Sequence, residues 1–313
     1  MARNFVPAFK TCTEKDIELL QIFIDKSKKL AVITGAGIST ESGLPDYRSK
    51  DVGLYSRKDG YRPMNYSEFL GNHSSRQRYW ARSFLGWNYI HNCQPNISHL
   101  TLTDWQRLGK LNTIITQNVD RLHHKAGSES VIELHGNLYN IKCIDCNHRI
   151  SRILFQTILT EMNTDLLNDD KSLRAKLLQE NNNNNNRTIR PDGDIDIIDD
   201  FVHSFRFPSC KRCNGLLKPD IVFFGDNVDQ HLVKKIYKKL NNECDSLLVL
   251  GSSLKVFSIF RFILQQIQLK KPLAIVNIGP TRADTFLQND QNNNDIILKI
   301  DSKISDVITK IQI

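Results

Sequence analysis

The sequence predicts an α/β fold: a parallel sheet with helices on both faces, interrupted by a smaller segment built to bind a metal. Three observations carry that expectation. Five short apolar runs, at residues 30–34, 113–116, 247–250, 273–277 and 296–300, are mostly rich in Val and Ile, and longer helix-compatible stretches separate them. That composition and spacing fit strands buried on both faces. Glycine or clustered polar residues follow several of these runs, at the strand ends where open parallel sheets bind ligands. Four of the seven cysteines fall into two Cys-x-x-Cys pairs, inside the one region where the alternation of strand and helix stops.

Composition narrows the class. A chain of 313 residues suits one large or two smaller domains. No apolar run approaches the ~20 residues needed to span a membrane, so no membrane partner is expected. The first ten residues lack the apolar core of a secretory signal, and a mitochondrial presequence pattern is weak: Arg3 and Lys10 precede the first acidic residue, Glu14. The compartment is therefore open. The net charge of +8 comes from scattered Lys and Arg with no basic run interleaved with aromatics. No specific nucleic-acid binding is expected from it. Lys234, Lys235, Lys238 and Lys239 share one helical face and read as solvated. Basic charge equally favours an acidic ligand such as a dinucleotide.

Along the chain, Ile17, Leu20, Phe23 and Ile24 repeat at helical spacing, which predicts an amphipathic helix over about 14–28. The first strand then runs into Thr34-Gly35-Ala36-Gly37-Ile38-Ser39. Two glycines after a strand let the backbone approach a diphosphate. The G-x-G-x-x-G fingerprint is incomplete, because Thr40 holds the third position, and a plain tight turn fits as well. In Ser42-Gly43-Leu44-Pro45-Asp46-Tyr47-Arg48, a loop sets a carboxylate and a guanidinium beside this turn. Arg48 suits a phosphate; a surface ion pair with Asp46 is the alternative.

The second strand ends in Gln117-Asn118-Val119-Asp120, amides and a carboxylate suited to ribose hydroxyls and a carboxamide. Glu133-Leu134-His135-Gly136 follows, and His135, fifteen residues after Asp120, would titrate near neutrality as a general base should. A structural histidine is the alternative. Cys143, Cys146, Cys210 and Cys213 match a tetrahedral zinc site with no open position, hence structural. Cys12, Cys93 and Cys244 read as packing residues. Pro219-Asp220-Ile221-Val222-Phe223-Phe224-Gly225 fits a buried core strand, or an edge that pairs with an extended peptide. Gly251-Ser252-Ser253 and Asn277-Ile278-Gly279 each follow a strand, where a ligand turn and an ordinary strand-to-helix turn look alike. Six asparagines at 181–186 lack any apolar surface to bury and predict a disordered insert; 288–294 predicts a polar loop.

GAGISTESGLPDYR, TQNVD, ELHG, the two Cys-x-x-Cys pairs, KPDIVFFG, GSS and NIGPTR occur in the order of the sirtuins, and the chain resembles that family from about Phe5 to its C-terminus. PDYR, RQRYWAR, KPDIVFFGD and NIGPTR look closest to the class II, sirtuin-4-type branch, whose known animal members are mitochondrial. That compartment is the expectation by resemblance, with cytoplasm or nucleus as alternatives. The resemblance starts almost at residue 1, which leaves no room for a cleavable presequence.

The resemblance implies an NAD-consuming protein-lysine deacylase that acts on acylated lysine proteins, with NAD as co-substrate and one structural zinc ion. It implies a Rossmann-type NAD-binding domain of residues 1–137 and 219–313, and a smaller inserted zinc-binding domain of 138–218 carrying a disordered insert at about 165–195. Gly35, Ala36, Gly37, Ser39, Asp46, Tyr47 and Arg48 would border the NAD diphosphate and nicotinamide ribose. Gln117 would hold the ribose, and Asn118, Val119 and Asp120 would line the nicotinamide pocket, Asn118 and Asp120 orienting the carboxamide. Gly251, Ser252, Ser253, Asn277, Ile278 and Gly279 would line the adenosine end, with Ile304 as the last adenine contact. Ser305 stands where the branch usually has glycine.

In the implied reaction the acyl oxygen attacks the anomeric carbon of the nicotinamide ribose and expels nicotinamide. His135 then acts as base on a ribose hydroxyl, which attacks the imidate carbon, and water completes transfer of the acyl group to ADP-ribose as the lysine amine leaves. Val222, Phe223, Phe224 and Gly225 would pair with the substrate backbone and wall the lysine channel. Tyr79 and Arg82, at i and i+3 on an expected helix, resemble a pair that holds acidic acyl groups; a surface cation packed on an aromatic ring is the alternative. Protein ADP-ribosylation from the same NAD pocket is the competing activity.

Overall fold

The computed structural model describes residues 5–57, 63–169, 190–191, 199–289 and 297–313. The asparagine tract, most of the insert expected at about 165–195, and residues 290–294 of the polar patch lie outside these. Nine strands are described: β1 Leu30–Thr34, β2 Leu111–Thr116, β3 Val131–Glu133, β4 Gly136–Cys143, β5 Arg149–Ser151, β6 Leu217–Ile221, β7 Ser246–Leu250, β8 Leu273–Val276 and β9 Ile297–Ile300. The chain divides into two units, Met1–Tyr61 with Cys93–His135 and Val228–Ile313, and Arg62–Asn92 with Gly136–Asn227.

The first unit holds a six-stranded sheet in the order β3-β2-β1-β7-β8-β9, every neighbouring pair parallel. Numbered within the sheet, that order is 3-2-1-4-5-6, the doubly wound Rossmann arrangement, whose direction of winding reverses between β1 and β7. All residues of β1, β7 and β8 are buried, the double-faced burial that the Val- and Ile-rich runs anticipate. The expected helix before β1 spans Glu14–Lys26. Thr13 and Asp16 form a reciprocal capping box at its start, and Leu20 and Ile24 bury its apolar face. It stops two residues early because the Lys28 and Lys29 amides donate to Asp245 Oδ2, turning the chain into β1.

The second unit carries an antiparallel sheet, β5-β4-β6. The helices Tyr66–Gly71 and His73–Asn92 belong to the same unit. The expected core strand at 219–225 ends at Ile221. Beyond it the chain leaves β4, and Phe224 makes an isolated bridge with Asn65, the Tyr66 amide donating to the Phe224 carbonyl at 2.8 Å. The segment therefore has one half in a sheet and one half on a surface, with Phe223 buried and Phe224 exposed. The expected loop at 165 begins instead as a helix, Thr164–Asp169, and the patch at 288 begins inside the helix Asp284–Asn289.

Candidate active site

In the first unit the site is assembled at the carboxyl ends of β1, β2, β7 and β8. The two glycine turns meet where the winding reverses. The Gly35 amide donates to the Leu250 carbonyl at 3.1 Å, and the Gly37 amide donates to the Gly251 carbonyl at 3.0 Å. A Cβ at Gly35 would stand 2.6 Å from the Gly251 oxygen, and one at Gly251, whose φ is +62°, would stand 2.5 Å from the Ile38 nitrogen. Backbone lies against backbone here, so these glycines are required by turn-on-turn packing as well as by any ligand. The turn winds into a 3-10 helix, Ala36–Ser42. Thr40, in the third fingerprint position, donates its hydroxyl to the Gly37 carbonyl.

That helix sets Ser39 against the end of β2. The Ser39 hydroxyl donates to Asp120 Oδ2 at 2.7 Å, and the Asn118 side-chain amide donates to Ser39 Oγ and to the Gly35 carbonyl, each at 3.1 Å. Asp120 Oδ1 accepts the Leu122 amide at 2.9 Å. Asp120 is buried, and burial raises its pKa, while the Leu122 amide and the Ser39 hydroxyl stabilise the ionised form. Gln117 reaches across the switch point: its side-chain amide donates to Ser252 Oγ at 2.7 Å. Ser252 Oγ also accepts the Leu254 amide.

His135 Nδ1 lies 3.0 Å from the Gln117 carbonyl, and Nε2 lies 2.8 Å from Ser258 Oγ. A carbonyl only accepts, so Nδ1 carries the proton, and Nε2 is the basic nitrogen that accepts from Ser258. The titration near neutrality expected from the sequence is overturned. Burial lowers the His135 pKa to about 4, against a smaller opposing effect of the Gln117 carbonyl. At neutral pH the ring is neutral, with its proton on Nδ1 and its lone pair on Nε2. Ser258 opens onto this site from the helix Phe257–Gln268, and no motif pointed to it.

Asp46 accepts the Arg48 and Ser49 amides and the Ser49 hydroxyl, which ties the loop 46–49 into a turn. The Arg48 guanidinium lies over the Tyr55 ring, 5.4 Å from its centroid, rather than on Asp46, and the Tyr47 ring lies tilted against the same ring, 5.8 Å between centroids. At the end of β8, Asn277 donates to the Ile278 and Gly279 carbonyls, and the Gly279 amide donates to Asp301 at 2.8 Å. The Ser253 carbonyl accepts the Arg282 amide. Ile304 opens the helix Ile304–Ile308 with its side chain in the apolar core beside Val307 and Ile308, which leaves only its backbone for a ligand. Ser305 donates to Glu41 at 2.9 Å.

The second unit gathers the four paired cysteines, whose sulfurs all lie within 4.8 Å of one another. Cys143 Sγ is 3.5 Å from Cys213 Sγ, and Cys146 Sγ is 3.7 Å from Cys210 Sγ. Zinc–sulfur bonds of ~2.3 Å at tetrahedral angles set sulfurs about 3.8 Å apart, so the donor set fits a structural zinc. The two knuckles are built alike. In each, the residue after the second cysteine, Asn147 or Asn214, has φ near +60° and donates its amide to the carbonyl of the first.

In the same unit, the segment after β6 rests on a buried cation. Lys218 Nζ donates to the Ile221 carbonyl at 2.7 Å, pairs with Asp226 at 3.3 Å, and lies over the Tyr66 and Phe223 rings. Burial lowers its pKa, and Asp226 opposes that shift. Val222 is half-buried, and Gly225, at φ +75°, turns beside Asn65. Tyr79 is buried on the helix His73–Asn92, edge-on to Phe69, Trp80 and Phe223. Arg82, one turn on, is half-buried. Tyr79 is thus a buried aromatic, while Arg82 keeps part of its surface exposed.

Comparison with known proteins gives concordant matches. The model of the Sir2 family matches residues 35–258. A human relative, "NAD-dependent protein lipoamidase sirtuin-4, mitochondrial", is 46% identical over 90% of this chain and 83% of its own length. The bovine protein of the same name is 44% identical over 97% and 88%. A Drosophila melanogaster relative, "NAD-dependent protein deacylase Sirt4", is 44% identical over 99% and 90%. A solved structure described as "Sir2-p53 peptide-NAD+" superposes with a TM-score of 0.65 at 27% identity, covering 94% of this chain and 96% of that one.

Proposed function

The chain belongs to the Sir2 family and is an NAD-dependent protein deacylase of sirtuin type, and from that premise we propose how its residues divide the reaction. NAD, when bound, supplies the nicotinamide leaving group and the ribose that receives the acyl group. Gly35, Ala36, Gly37, Tyr47 and Arg48 hold the diphosphate side, with Asp46 fixing the loop that presents Arg48. Gly251, Ser252, Ser253, Asn277, Ile278 and Gly279, with the Ile304 backbone, hold the adenosine side. Gln117 binds the nicotinamide ribose; Asn118, Val119 and Asp120 hold the carboxamide.

The observation that carries this reading is the joining of Ser39, Asn118 and Asp120 in one buried hydrogen-bonded group, beside a histidine whose tautomer is set by Gln117. His135 Nε2 carries a lone pair at neutral pH and takes a proton from a ribose hydroxyl in place of the Ser258 hydroxyl. Acylated lysines of proteins are the substrates. Val222, Phe223, Phe224 and Gly225 receive the peptide. Within that segment the Phe224 carbonyl already accepts the Tyr66 amide, and the Phe223 carbonyl accepts the Asp226 amide.

A panel of acyl-lysine peptides with NAD, read by nicotinamide release and mass spectrometry, tests this. Deacylation yields O-acyl-ADP-ribose; ADP-ribosylation, which none of the reported relatives is named for, would leave the mass of ADP-ribose on protein. His135→Ala should lower turnover by about 100-fold or more, and equal turnover would remove His135 from the mechanism. We propose further that the half-buried Arg82 favours carboxylated acyl chains. The panel ranks these against a lipoyl chain, which the bovine and human relatives are named for removing. Arg82→Met should erase any preference for carboxylated over acetyl chains, and an unchanged ratio would sink that assignment. The relatives' names also support a mitochondrial site of action, which fractionation of cells expressing the full chain tests.

A further inference from the structure

His123 is buried beneath the strand ends, at 2% exposure, and the reaction as described makes no use of it. It lies three residues after Asp120, on the short helix Leu122–Lys125. To place it there the chain turns sharply. Asp120 Oδ1 accepts the Leu122 amide that starts the helix, and Arg121 sits at φ +61°, a left-handed conformation that non-glycine residues adopt at an energetic cost. The turn carries the imidazole back beneath the ends of β1 and β2.

There a chain of hydrogen bonds closes. The Asn118 amide donates to Thr116 Oγ1 at 3.1 Å, the Thr34 hydroxyl donates to Thr116 Oγ1 at 2.9 Å, and His123 Nε2 lies 2.9 Å from Thr34 Oγ1. Thr34 spends its only proton on Thr116, so its oxygen accepts from His123, and His123 must carry its proton on Nε2. All the hydroxyls and the ring of this relay are buried. His99, also fully buried, packs beside it with ring centroids 4.8 Å apart. Burial lowers the His123 pKa to about 3, and burial with the neighbouring His123 lowers that of His99 too. Both rings are thus held neutral, which is the form the relay requires.

We infer that His123 is a positioning residue: its Nε2–H ties the Thr34 and Thr116 hydroxyls together under the loop 117–122 and so fixes the backbone on which Asn118 and Asp120 stand. The inference rests on the assignment of those two residues to the nicotinamide carboxamide. A positioning role differs from simple support of the fold in what it changes. Lost support lowers the folded fraction and apparent kcat. A loosened loop weakens the grip on NAD and on product nicotinamide in protein that remains folded.

The test measures KM for NAD, KM for the acyl-peptide, kcat and the nicotinamide concentration for half-inhibition, in protein whose folding is verified by circular dichroism. His123→Leu removes the donor. His123→Asn returns an amide only at the Nδ1 position. His123→Gln returns a donor at the Nε2 position. Thr34→Val breaks the relay from its other side at nearly constant volume. His123→Leu, His123→Asn and Thr34→Val should each raise the NAD KM and the half-inhibitory nicotinamide concentration about fivefold or more, the effect of one lost buried hydrogen bond. The peptide KM should hold, and His123→Gln should recover both constants to within about twofold of the parent.

Parent-like constants in folded His123→Leu and Thr34→Val would overturn the inference, as would a His123→Gln enzyme as impaired as His123→Leu. If His123→Leu does not fold, Thr34→Val decides alone. Asn118→Ala serves as the reference. Unchanged nicotinamide inhibition in that variant would refute the carboxamide assignment itself, separately from the tether.

Discussion

Acid should destabilise this protein through its buried histidines, and replacing one of them should remove a calculable part of the effect. In the folded state His123 has its pKa lowered to about 3 by burial, whereas an unfolded histidine titrates near ~6.5. The folded state then binds fewer protons than the unfolded state, so stability is full above about pH 6.5 and falls as pH drops toward about 3. Integrated from about pH 7.5 to pH 5, the linkage gives a loss of about 2 kcal/mol from this one residue. His135, lowered to about 4, contributes about as much over that interval, and His99 shifts in the same direction. Asp120, whose pKa is raised, acts with the opposite sign.

The assay is urea unfolding of parent and His123→Gln at about pH 7.5 and pH 5, compared as a double difference. Zinc release and the titrating groups remote from His123 are common to both proteins and cancel; His99, whose pKa the neighbouring His123 helps to lower, shifts less in the variant and adds to the difference with the same sign. The variant should lose about 2 kcal/mol less than the parent on acidification. Equal losses would show that His123 is solvated or already charged in the folded protein, and the argument for a neutral relay would go with it.

Two further outcomes follow from packing and from the metal. Gly251→Ala places a Cβ 2.5 Å from the Ile38 nitrogen at a φ of +62°, where only backbone can yield. A loss of about 3 kcal/mol or more with a raised NAD KM is expected by chemical denaturation and kinetics, and a loss under about 1 kcal/mol would refute the interlocked turns. Elemental analysis should find one zinc per chain, and a strong chelator should lower the melting temperature; a metal-free chain with an unchanged melt would mean that the four sulfurs are held by the sheet alone.

Much of this site was legible because its parts are local. Val- and Ile-rich runs of strand length encode double-faced burial, and all five expected strands are found within two residues of their predicted ends. Two Cys-x-x-Cys pairs encode a tetrahedral donor set regardless of the long stretch between them. TQNVD and ELHG place polar groups at strand ends, which in a parallel sheet is where ligands bind. The segment 219–225 was less legible. Its apolar pattern does not reveal that Ile221 is the last residue paired with β4, nor that Phe223 turns inward onto Lys218 and Phe224 outward. Tyr79 likewise gave a helical face by spacing, but its burial against Phe69 and Phe223 arises from elements far along the chain.

By itself, the sequence determined the sheet, the order of its glycine turns, the metal donors and the residues gathered around Gln117 to His135. Tertiary structure decided what those residues are chemically. Thr34 and His123 are 89 residues apart, Gln117 and Ser252 are 135 apart, and His135 and Ser258 are 123 apart. A motif specifies a side chain and its neighbours along the strand. The proton it carries depends on desolvation and on the partner across the fold, and both exist only once the chain has closed on itself.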